Sequence, residues 1–158
     1  MQRKEVRNVA EGVVNKYNFI LYFLKYKMEL QILLESIFVG IYSMLLSIIV
    51  IQLFNFPLVF NIFIIGFLKH YISGIVGLQK YYCSMYNICD KFDLDYLILE
   101  SIGEGYLFLI TYFILSKLVG QKGYTTFFMI GILLHITFEQ LNGHSLFCKT
   151  RCKNGVVV

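Results

Sequence analysis

Residues 31–54 read QILLESIFVGIYSMLLSIIVIQLF, and after the break Asn55-Phe56-Pro57 residues 58–78 read LVFNIFIIGFLKHYISGIVGL. Two apolar runs of this length, back to back, decide the fold. Beyond Gln31 at its start, Glu35 and Gln52 are the only strongly polar residues in the first run. A helix rises 1.5 Å per residue, so either run reaches across a hydrocarbon core of roughly 30 Å with some tilt. Proline is tolerated in the first turn of a helix and not in its interior, so Pro57 places a tight turn between an outgoing and a returning span.

Working outward, two further runs follow the same rule. The sequence predicts spans at about 31–54, 58–78, 96–115 and 124–141. Between the second and third, Lys80 to Asp95 reads as a polar loop, with Asp95 as a candidate helix cap. Between the third and fourth, Lys117 to Gly123 reads as a short glycine-flanked turn, and Asn142-Gly143 ends the last span. Upstream, Val6, Val9, Val13, Tyr17, Ile20 and Leu24 recur at helical spacing while Arg3, Lys4, Arg7, Glu11 and Lys16 fill the other faces. That pattern predicts an amphipathic helix lying at the membrane surface over residues 1–28. The expected fold class is an all-α membrane protein: a four-helix transmembrane bundle of up-down topology over 29–141, with that interfacial helix before it and a cysteine-containing tail at 142–158 after it.

Composition agrees. Hydrophobic residues make up 58% and charged residues 15% of the 158, and the mean hydropathy is +0.67. A soluble domain carries about a quarter of its residues as charges, spread along every element. Here they bunch between apolar runs. The net charge of +4 is modest, and the basic residues do not interleave with aromatics, so nucleic acid is not an expected partner. The lipid bilayer is, together with the chain itself or other membrane subunits. The first apolar segment is too long for a cleaved signal, and no glycosylation sequon or prenylation box is present.

Lysine and arginine near the spans set the orientation. Arg3, Lys4, Arg7, Lys16, Lys25, Lys27, Lys80, Lys91, Lys149, Arg151 and Lys153 fall on one side of the four-span arrangement, and only Lys117 and Lys122 on the other. Both termini are therefore expected on the cytoplasmic side.

Ionisable residues inside the spans point to function, because a charge at a helix centre costs about 2.5–3.5 kcal/mol on insertion scales. Glu35, Glu100 and Glu139 lie about one turn in from the cytoplasmic ends of their helices. Glu104 and His135 lie one turn deeper, and Lys69 and His70 slightly deeper again. Up-down topology sets these depths side by side, as an intramembrane polar cluster with Lys69 and Glu104 as the first pair to expect. His70, Glu100, Glu104, His135 and Glu139 together offer two imidazoles and three carboxylates, a donor set suited to a zinc or iron ion. Glu-x3-Glu and His-x3-Glu each keep both members on one helical face. Against this stands the simpler role of cohesion between helices. His144 reads as a surface histidine rather than a ligand.

Cys83 and Cys89 follow the second span; Cys148 and Cys152 follow the fourth. By topology all four share one face with the polar cluster. In a reducing cytosol a disulfide is disfavoured, so metal binding and thiol–disulfide exchange gain weight beside the simpler reading of free or structurally paired cysteines. Neither spacing is that of a zinc ribbon, and no Cys-x-x-Cys is present. The sequence therefore supports three kinds of function: a non-enzymatic structural or assembly component of a membrane or membrane complex; a membrane-embedded metal-dependent or thiol-redox enzyme acting on a lipid or quinone; and a small oligomeric transporter or proton conductor. Short loops, with no room for a substrate-binding domain, favour the first.

Overall fold

Proline 57 and glycine 77 punctuate the first half of the fold. In the computed structural model, which describes residues 29–86, 91–120 and 123–153, helix α1 covers Glu29–Leu53 and α2 covers Leu58–Ile75. The Pro57 carbonyl accepts from the backbone N–H of Phe60 and Asn61 and so opens α2, while the Asn61 side chain reaches back to the Phe56 carbonyl at 3.0 Å. At the far end Gly77 takes φ +80°, a left-handed conformation that costs a residue with a Cβ and suits glycine. The chain turns there and starts a second helix, α3, over Leu78–Tyr86.

Residues 80–86, expected to be loop, are therefore helical, and the second apolar helix stops at Ile75 rather than at residue 78. The rest of the chain comprises β1 (Lys91–Phe92), α4 (Leu97–Val119), α5 (Tyr124–Gln140), α6 (Gly143–Arg151) and β2 (Cys152–Lys153). The two short strands pair antiparallel, Lys91 opposite Lys153 and Phe92 opposite Cys152. The expected cap at Asp95 is not formed. Asp93 accepts from the Asp95 backbone N–H at 3.0 Å instead, and α4 begins after Tyr96 without a side-chain cap. Part of the expected tail is also ordered: α6 follows α5 at once, through Asn142 at φ 54°. Asparagine is one of the few residues that enters the left-handed region readily.

The chain falls into two compact units, Met1–Glu35 and Ser36–Val158. Of the first, only residues 29–35 are described, and the expected interfacial helix at 1–28 lies outside the described residues. In the second unit every long helix contributes to one core: Leu46 and Val50 from α1, Ile62 and Ile65 from α2, Phe108 and Tyr112 from α4, Phe127 and Ile130 from α5. Two close crossings set the spacing. On α2, a Cβ added at Gly66 would meet Phe108 and the Glu104 carbonyl of α4 at 2.8–2.9 Å. On α5, a Cβ at Gly131 would meet the Gly40 Cα and the Val39 carbonyl of α1 at 2.9 Å. Small residues at such crossings let backbones approach closely, as in membrane helix pairs.

Many large apolar side chains lie on the outside of the described helices. Leu45, Ile49, Leu53, Ile98, Ile110, Ile114 and Leu118 are all exposed. Soluble monomers rarely expose contiguous apolar surface on this scale. Among the described residues, α1, α2 and α4 are long and apolar enough to cross a membrane, and about a third or less of each apolar window is buried inside the protein. The protein is a membrane protein by this criterion. Helix α5, at 17 residues, is shorter; it spans about 25 Å.

Candidate functional site

At one end of the bundle, polar side chains from α2, α4 and α6 form a continuous line. Lys69 and Glu104 are ion-paired across α2 and α4. The other oxygen of Glu104 lies 2.6 Å from Nδ1 of His70. His70 Nε2 lies 3.7 Å from a carboxylate oxygen of Glu100. Glu100, one turn before Glu104 on α4, is held in turn by Arg151, which donates from Nε at 3.0 Å and also from Nη2. The order is lysine, carboxylate, imidazole, carboxylate, arginine. With His70 neutral the group carries no net charge, which is what a low-dielectric setting favours.

Aromatic rings cover both cations. Lys69 Nζ sits 5.4 Å from the Phe108 ring centroid, and the Arg151 guanidinium 4.9 Å from that of Tyr96 and 5.8 Å from that of Phe147. Such contacts recover part of the desolvation cost of a buried cation.

A second group forms around Glu139 on α5. Tyr82 of α3 donates its hydroxyl to Glu139 Oε1, and His144 Nδ1 lies 2.8 Å from the same oxygen. His135 sits one turn before Glu139 on the same helical face, with its ring centroid 4.7 Å from that of His144. One ligand-capable atom each from His135, Glu139 and His144 lies within 4.8 Å of the others.

These two groups share a cover made of α3 and α6. Gln79 ties α3 to the end of α2, donating to the His70 carbonyl and the Ser73 hydroxyl, both at 3.1 Å. A disulfide joins Cys83 of α3 to Cys148 of α6. Both half-cystines are buried, at 0% and 1% exposure. Cys152 is also disulfide-bonded, and Cys89 lies outside the described residues.

The structure therefore divides the residues singled out from sequence. Lys69, His70, Glu100 and Glu104 come together; His135 and Glu139 belong to the second group. The five-residue ligand set expected around one ion is not one cluster. Glu35 falls in the first unit, where it accepts a hydrogen bond from Gln31 at 2.8 Å. Cys83 and Cys148 pair with each other across the two cysteine-bearing segments, so these two are not free for a four-thiolate zinc site.

Three members of these two groups were not expected from the sequence. His144, expected at the surface, is turned back onto Glu139 by the left-handed Asn142. Arg151, expected as a tail charge, is buried against Glu100. Tyr82, in the expected loop, is placed by α3. The one available signal was Asn142-Gly143, a pair that reverses a helix sharply. No model of a known family, no curated protein and no solved structure matches the chain.

Proposed function

We propose that this protein is a non-enzymatic structural or assembly component of a membrane or membrane complex, with α1, α2, α4 and α5 crossing the bilayer as a four-helix bundle. The observation that carries this reading is the pairing of the carboxylates in the inner polar line: each already has a cationic or imidazole partner. Those pairs tie α2, α4 and α6 together and hold three helices in fixed register. The apolar outer surface of α1 and α4 then faces lipid or neighbouring membrane subunits. Helix α5 crosses by local bilayer thinning or snorkelling of its flanks, which costs only fractions of a kcal/mol per ångström of mismatch. The count of lysine and arginine favours both termini on the cytoplasmic side.

Native mass spectrometry of the full chain, extracted in its own lipids, tests the reading. A stoichiometric oligomer or a stoichiometric foreign membrane subunit is expected. A chain that remains a lone monomer in lipid nanodiscs, at the concentration found in its membrane, overturns it. A metal-dependent membrane enzyme is the second reading, favoured by the approach of His135, Glu139 and His144.

A further inference from the structure

We infer that His135, Glu139 and His144 bind one divalent transition-metal ion of the zinc or ferrous class, and that the Cys83–Cys148 disulfide holds His144 in place. The site goes beyond the structural reading and does not depend on it, since an ion there ties α5 to α6 whether or not chemistry follows.

The geometry is close to that of a ligand shell. Metal–nitrogen and metal–oxygen bonds of about 2.0–2.2 Å put neighbouring ligand atoms about 3 Å apart. His144 Nδ1 and Glu139 Oε1 already stand at 2.8 Å. The third donor, from His135, lies within 4.8 Å of both, a gap that side-chain rotation closes because His135 and Glu139 share a helical face. On binding, the ion takes the place of the proton between His144 Nδ1 and Glu139 Oε1, and that proton passes to solvent or, by change of tautomer, to His144 Nε2. The Tyr82 hydroxyl on Glu139 is the outer hydrogen bond that orients a ligating carboxylate.

Donor chemistry selects the ion and the location. Two imidazoles with one carboxylate suit zinc or ferrous iron, whereas calcium and magnesium take oxygen-only shells. Three protein ligands leave at least one coordination position open. The neighbouring line at His70 is unsuited to a dication, because Lys69 and Arg151 already neutralise its two carboxylates. Glu139 is met by a hydroxyl and an imidazole instead.

The disulfide acts through the two short helices. Tyr82 immediately precedes Cys83 on α3, and His144 lies one turn before Cys148 on α6. Joining the sulfurs fixes the helix that supplies His144 against the helix that supplies the orienting hydroxyl.

The test uses the full chain, purified in detergent without a histidine tag, stripped with chelator and titrated separately with Zn2+ and Co2+. One ion per chain is expected, with the visible d–d absorption of Co2+ in a nitrogen–oxygen shell. Glu139→Gln and His144→Ala should each weaken binding about a hundredfold, since each removes a direct ligand where loss of an outer-shell partner alone costs ten- to a hundredfold. His70→Ala should bind as the parent does. The double variant Cys83→Ser, Cys148→Ser should weaken binding about tenfold. Circular dichroism and thermal unfolding identify variants that fold, and His144→Gln replaces His144→Ala if the latter does not. Absence of saturable binding by the unmodified chain below about 1 mM overturns the site without reference to any variant. Equal loss in His70→Ala moves the ion elsewhere and also overturns it. Unchanged affinity in the folded double cysteine variant overturns the role given to the disulfide.

Discussion

Lys69 on α2 and Glu104 on α4 are ion-paired across the interface that their helices share, and each side chain is 14% exposed. The pair sits one turn beyond the Gly66 crossing, where the Glu104 carbonyl itself touches α2. Close packing and ion pairing therefore occur at the same level of the bundle, and each fixes the geometry that the other needs. Glu104 also engages His70, so a single carboxylate organises two consecutive residues of α2.

Breaking this pair from one side should hurt more than removing it. Glu104→Gln leaves the Lys69 ammonium in apolar surroundings without a counter-ion. Lys69→Met leaves a carboxylate that retains His70 and can protonate. Removing one partner of a buried pair typically costs about 3–5 kcal/mol, whereas replacing both with neutral groups is often far milder. The expectation is a larger loss of thermal stability for Glu104→Gln than for Lys69→Met, with partial recovery in the double variant. A double-mutant cycle in detergent measures the coupling. Strict additivity would mean that the two side chains do not stabilise one another.

Two helical glycines should respond in opposite directions to the same change. Gly131→Ala puts a methyl group 2.9 Å from backbone atoms of α1, which cannot give way like the end of a side chain. It should force the α1–α5 crossing apart and cost about 1–3 kcal/mol, the usual range for overpacking. Gly103 lies inside α4 with nothing within 4 Å of its would-be Cβ. Gly103→Ala should stabilise by roughly 1 kcal/mol through helix propensity alone. Thermal unfolding of the two variants side by side decides the matter; the same sign for both would mean that the crossing is misplaced.

The long helices were legible because their signal is local. An unbroken apolar run, a proline and a few glycines carry it, and the lipid environment demands helix wherever such a run occurs. The depth argument that set Lys69 beside Glu104 worked for a related reason: rise per residue is fixed, so depth in one helix predicts the level of its neighbour. The cover was not legible. Helices α3 and α6 are nine residues each, too short for independent stability in water. They exist through tertiary ties: Gln79 to the end of α2, Arg151 to Glu100, and Cys83 to Cys148. None of these ties leaves a periodic trace, and the partner of a cysteine cannot be deduced from spacing. The five residues expected as one ligand set fall into two groups for the same reason. Shared depth said which residues lie at one level, and only the path of α6 says which of them meet.

The disulfide should be both stabilising and slow to reduce. It closes a sequence separation of 65 residues, for which the chain-entropy account gives about 4 kcal/mol. Exchange requires a thiolate to reach a sulfur, and both sulfurs are buried. The folded protein should keep this bond under a reductant that breaks it quickly once the chain is unfolded, as read by alkylation and mass shift. The folded Cys83→Ser, Cys148→Ser variant should unfold at lower temperature than the parent. Equal reduction rates in folded and unfolded protein would show that the cover opens freely.

Orientation sets two physical signals against each other, and a labelling experiment separates them. The excess of lysine and arginine favours the cytoplasm for the end that carries α3, α6 and the disulfide. Disulfides persist most readily on the opposite, oxidising side of a membrane. Burial of Cys83 and Cys148 weakens the second signal, because a bond that reductant cannot reach survives in a reducing compartment once formed. The charge rule has no such escape, since it acts during insertion, before the cover folds. Lys117 in the last turn of α4 and Lys149 on α6 are both exposed, and the proposed four-span arrangement sets them on opposite sides of the membrane. With the described native cysteines disulfide-bonded, Lys117→Cys and Lys149→Cys each introduce one reactive thiol. A membrane-impermeant maleimide added to sealed, cytoplasmic-side-in vesicles or cells should label Lys117→Cys at once and Lys149→Cys only after permeabilisation. The reverse pattern would invert the protein and make redox compartment, rather than charge, the better guide to its topology. Labelling of both from the same side would mean that α4 and α5 do not place these residues across a bilayer, and the four-span arrangement would fall.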